Sequence, residues 1–142
     1  MHTAQRHPDL RHLVDSGSWF ATIALPAPSR TDDAARRLEV AWANARRQLS
    51  DRWPAERVAE LDDVMADVAH DRGEALVVVA AVDGPVLVEA LDEPIHQLAV
   101  GEGPLPRLAT VIEARQRAIA HVVVETDRTG ADITAFDGAS VI

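Results

Sequence analysis

Apolar positions recur along this chain in two rhythms: every third or fourth residue in some stretches, unbroken runs in others. Residues 7–16 set Leu10, Leu13 and Val14 on one helical face, and Gly17 follows where a helix end favours glycine. Residues 19–25 are apolar on both faces and are stopped by Pro26 and Pro28, which predicts an interior strand covered on both sides. Thr31 is placed to cap a long helix, with Asp32 and Asp33 in the first turn where the helix dipole favours negative charge. Advancing each residue by roughly 100° gathers Leu38, Trp42, Ala45 and Leu49 into a stripe and leaves Arg36 and Arg47 opposite it. After a short connection at residues 50–53, Pro54 opens a second helix with core positions Val58, Leu61, Met65 and Val68.

Gly73 closes that helix, and the apolar run 76–82 turns through Asp83, Gly84 and Pro85 into a second run at 86–91, a strand hairpin. A third strand is predicted at 96–100. The Gly/Pro-rich stretch 101–104 then leads to a helix at 106–117, with Leu108, Val111, Ile112 and Arg115 at helical spacing, expected to lie across the sheet. Residues 121–126 and 131–136 form a last hairpin about the turn 127–130. The fold class is therefore α/β (α+β): a mixed sheet of about four strands flanked by helices, including a long two-helix hairpin, then a strand hairpin. A lone hairpin is marginal in water, so the last one is expected to open a second, truncated domain near residue 119.

Composition narrows the chemistry. The 142 residues contain no Cys, Lys or Tyr, which excludes a thiol nucleophile, a disulfide, a Cys-ligated metal, a phosphate-loop lysine and a Schiff base. No run approaches the roughly 20 apolar residues of a membrane span and the N-terminus has no apolar leader, so a cytoplasmic protein without a membrane partner is expected. His2, His7 and His12 recur every five residues, about 140° apart on a helix, and suit no shared metal. Asp62, Asp63, Asp67 and Asp71 read as a solvated helix face, and Asp127 and Asp132 as turn residues. Gly101 and Gly103 lack the third glycine of a dinucleotide fingerprint and read as a turn, and no serine sits in a nucleophile elbow. No catalytic group, metal or cofactor is expected.

The net charge of −9 is unevenly spread. Residues 30–57 hold seven arginines against five acids, whereas residues 58–142 hold five against sixteen. A polyanion has one candidate surface: Arg36, Arg37, Arg46, Arg47, Arg52 and Arg57, in the helix pair and its loop. Ordinary ion pairs with Asp32, Asp33, Glu39, Asp51 and Glu56 are the alternative use of the same arginines.

The order of elements, with the phrases at 32–49, 72–79, 103–108 and 121–133, resembles the N-terminal part of actinobacterial proteins in a bacterial family related to archaeal and eukaryotic peptide-chain release factors. These are the Vms/Ankzf-type peptidyl-tRNA hydrolases. The resemblance implies a release-factor-like α/β domain over residues 1–118, the first hairpin of a catalytic-type central domain over 119–142, and a ribosome or tRNA as partner. It also implies a Gly-rich catalytic loop bearing a glutamine, yet this sequence has no Gly-Gly pair, and Gln5, Gln48, Gln97 and Gln116 lie on other elements. The Asn-Ile-Lys-Ser loop with which release factors read stop codons is replaced by Ser50, Asp51, Arg52, Trp53 and Pro54. The expected role is thus noncatalytic, in ribosome rescue and translation quality control. A self-contained protein-interaction domain is the alternative, and exposed Val122, Val124, Ile133 and Phe136 would favour a homodimer.

Overall fold

In the computed structural model, which describes residues 9–26, 32–68, 73–95, 99–117, 119–137 and 140–141, the order is helix, strand, two helices, three strands, helix, three strands. The elements are α1 (Leu10–Asp15), β1 (Phe20–Pro26), α2 (Asp32–Gln48), α3 (Ala55–Val68), β2 (Ala75–Ala81), β3 (Val86–Leu91), β4 (Ala99–Gly103), α4 (Ala109–Arg117), β5 (His121–Thr126), β6 (Ala131–Asp137) and β7 (Ser140–Val141). Two compact units result, Met1–Leu108 and Ala109–Ile142. Thr31, His96 and Asp71, read above as a cap, a strand start and an acidic face residue, lie outside the described residues, as do His2 and His7.

The first unit carries a four-stranded sheet in the order β3-β2-β1-β4. The α/β class and the four strands are as the sequence pattern predicts, with one correction: every ladder is antiparallel, so the sheet is not mixed. The reason is the helix pair. One crossover helix would return the chain for a parallel strand, but two antiparallel helices bring it back to the end it left, and β2 runs down beside β1 with Phe20 opposite Ala81 and Pro26 opposite Ala75. A second correction concerns Gly101 and Gly103, expected in a turn. They belong to β4, opposite Thr22 and Phe20, and the Arg107 side chain lies over Gly101 where a Cβ would otherwise stand.

β2 is buried at all seven positions, as its unbroken apolar run requires of a strand with neighbours on both edges and cover on both faces. On one face Ala21, Ile23, Leu25, Leu76, Val78 and Val88 meet Leu38, Trp42, Ala45, Leu61 and Met65 of the helix pair. Fully burying a side chain the size of Leu or Val is worth roughly 1.5–3 kcal/mol. The core sits there. Leu13 of α1 and Phe20 are also fully buried, and Gly17 lets α1 close in, since a Cβ on it would come within 2.7 Å of Ala81 and the Phe20 ring. Ser18 donates from its N–H and hydroxyl to Asp83 at 3.2 and 2.9 Å, fixing this corner to the β2–β3 turn.

In the second unit β5 and β6 pair antiparallel from His121 opposite Phe136 to Thr126 opposite Ala131, the predicted hairpin, and β7 adds a short third strand. All six residues of β5 are exposed. In α4 Val111 is buried but Ile112 is exposed, so the expected apolar stripe narrows to one residue.

Candidate nucleic-acid interface

The helix pair that carries the candidate arginines is held midway and at its loop by polar contacts the sequence pattern does not display. Trp42 Nε1 donates to Asp62 Oδ1 at 2.9 Å, and Arg46 reaches the other oxygen of Asp62 at 3.1 Å. Asp62, expected on a solvated face, is therefore the strut between α2 and α3. At the loop, Trp53 is buried and its Nε1 donates to Glu102 Oε1 at 2.6 Å, while the Ser50 N–H donates to the same oxygen at 3.0 Å. Residues 50–54 are thus pinned to β4.

The six candidate arginines separate into three groups. Arg57 is withdrawn from the surface, a correction to its reading as a polyanion contact: it is 7% exposed, donates from Nε and Nη2 to the Ala81 carbonyl at 3.1 and 2.8 Å and from Nη2 to the Gly84 carbonyl at 2.5 Å, and pairs with Glu60. Its position one turn into α3 places it under the β2–β3 turn, whose carbonyls would otherwise be buried without donors. Arg46 is tied to Asp62, and Arg52 lies over the Trp19 ring, 4.3 Å from its centroid. That stacking is worth about 0.5–1 kcal/mol at an exposed site.

Arg36, Arg37 and Arg47 form the third group, all exposed along α2. Arg37 Nε bonds back to the Asp33 carbonyl at 3.3 Å, and Arg47 bonds to the Asn44 side chain, local contacts that orient the guanidinium groups along the helix. Beside them run two hollows of about 350 and 410 Å³ that share Ala41 and Asn44 and so form one furrow along α2. Ala24, Leu25, Pro26, Val40 and Val100 supply much of its apolar lining. Asp33 stands at one end as its acidic member.

The chain matches no family model. It is similar to two proteins of Mycobacterium tuberculosis, uncharacterized protein MT2704 and uncharacterized protein Rv2629, each 29% identical over 144 residues that cover 96% of this chain. The chain spans 37% of the length of those relatives.

The charge distribution made the six arginines of the helix pair and its loop one candidate surface, whereas the fold leaves three of them on one flank and redirects the rest. Asn44 and Val40 were not singled out from the sequence. Their signal was present: residues 36, 40, 44 and 47 follow the three-to-four-residue repeat of a single helix side. Among the described residues no group of three or more His, Cys, Asp or Glu is placed to hold a metal ion, and no helix is long and apolar enough to cross a membrane. Asp127 accepts from the Thr129 N–H, the Thr129 hydroxyl and the Gly130 N–H at 2.6, 2.8 and 2.9 Å, which makes it a turn residue.

Proposed function

We propose that this chain is a noncatalytic, release-factor-like portion of a ribosome-associated peptidyl-tRNA hydrolase, a translation quality-control protein, and that it positions that protein on the ribosome or tRNA. The observation that carries the reading is the gathering of Arg36, Arg37 and Arg47 on one exposed flank of α2, together with the sequence resemblance. Guanidinium groups suit phosphate, and a rigid helix holds several of them in register at little entropic cost. Ester hydrolysis is assigned to no residue of this chain.

Salt-sensitive co-sedimentation with ribosomes tests the reading. Arg36→Ala combined with Arg47→Ala is expected to weaken it on the order of tenfold or more at low salt and to flatten its salt dependence. Absence of binding by the wild-type chain at low salt would sink the proposal. A second reading, a self-contained protein-interaction domain without hydrolase activity, is favoured by the exposure of Val122, Val124 and Ile133 on the second unit. Binding confined to proteins would select it.

A further inference from the structure

The furrow beside the arginines is a poor match for a phosphate backbone taken by itself. Its length along α2, from Arg36 to Gln48, is about 18 Å at 1.5 Å per residue. A sugar-phosphate chain would use the guanidinium rim and leave the apolar lining of Pro26, Val40 and Val100 in contact with charge or water. Ala41 and Ala45 close the floor from within the core, so an occupant meets Val40, Asn44 and the arginines of α2. Val40, 55% exposed on the furrow wall, gains from an apolar cover.

We infer that this furrow takes an extended protein segment in which apolar and acidic side chains alternate, the apolar ones against the lining and the carboxylates on Arg36, Arg37 and Arg47. Charge complementarity selects that occupant: the rim carries three arginines with one acid, Asp33, at its end. An extended chain places successive side chains on opposite faces at about 3.3 Å per residue, so about six residues fill the furrow and present three apolar groups to it. β4 is the terminal strand of the sheet and contributes Val100 to the lining. This inference rests on the reading that the α2 flank is the docking surface, and it names a protein component rather than RNA as what the flank grips.

Two variants of the whole chain separate the possibilities. Val40→Ser removes apolar wall and leaves the charge unchanged; Arg36→Ala with Arg47→Ala removes charge and leaves the wall. The probes are a labelled peptide of alternating glutamate and leucine, its lysine–leucine counterpart, poly(U) and ribosomes. The expected result is that the glutamate peptide binds, the lysine peptide does not, and either variant weakens both peptide and ribosome binding on the order of tenfold. Loss of ribosome or poly(U) binding in the arginine variant alone, with Val40→Ser unchanged, would overturn the inference and keep the docking reading with RNA as partner. Peptide binding that depends on Val40, without any ribosome binding, would support the furrow and remove the ribosome. No peptide binding by the wild-type chain would overturn it outright.

Discussion

Arg57 shows how far the role of one residue depends on what surrounds it. On a helical wheel it is one more arginine of a basic segment; in the fold its guanidinium supplies donors to the carbonyls of Ala81 and Gly84 inside the protein. Arg57→Met keeps the packing of the stem but leaves those carbonyls without donors, and is expected to cost about 2–4 kcal/mol in urea unfolding with an unchanged m value. Arg57→Lys should fall between, because an ammonium cannot span both carbonyls as a fork. Asp83 makes the second case. Hydrogen bonds from the Ser18 hydroxyl and N–H hold its carboxyl below the usual carboxylate range. A carboxylate depressed in the folded state stabilises above its unfolded pKa, near 3.9, and that contribution is lost as pH falls through the folded value. The stability gap between wild type and Ser18→Ala is therefore expected to be widest near neutral pH and to close in acid below about pH 4, read by thermal melts across pH.

At the scale of elements, the sequence was most legible where local rhythm and punctuation agree. The hairpins β2–β3 and β5–β6 and the helix pair stand where apolar runs, Pro54 and the Gly-containing turns place them. It was least legible at β4, because glycines carry no strand signal and are accepted there through pairing with β1 and the cover of the Arg107 side chain. The loop at 50–54 was readable as a loop but not as a fixed one. Glu102 holds it through Trp53 Nε1 and the Ser50 N–H, so Glu102→Ala is expected to raise amide exchange across 50–54 and to cost about 1–3 kcal/mol. Glu102→Gln, which keeps an acceptor, should recover most of the loss. Wild-type exchange and stability in both variants would show that the loop is held by packing alone.

For the whole molecule, the two units pose different problems of exposure. The first buries its strands under helices, whereas β5 of the second exposes Val122, Val123 and Val124 on the terminal strand of its sheet. The Asp127 N–H bonds to the Gly130 carbonyl, so by strand alternation the N–H groups of residues 122 and 124 point away from β6. Light scattering is expected to show self-association rising with concentration, and Val124→Pro, which removes an outward donor without breaking the β5–β6 ladder, to prevent it. A wild-type chain that stays monomeric at high concentration would rule this edge out as a dimer contact. What the sequence by itself determined is where helices, strands and turns lie, because periodicity, proline and glycine act over a few residues. Which charges serve the fold and which remain for a partner was decided only in three dimensions. Trp42 and Asp62, Arg57 and Ala81, and Trp53 and Glu102 are 20, 24 and 49 residues apart. Each pair meets only once the antiparallel register and the helix hairpin have brought its partners together, and the same desolvation that makes those contacts obligatory leaves Arg36, Arg37 and Arg47 outside them.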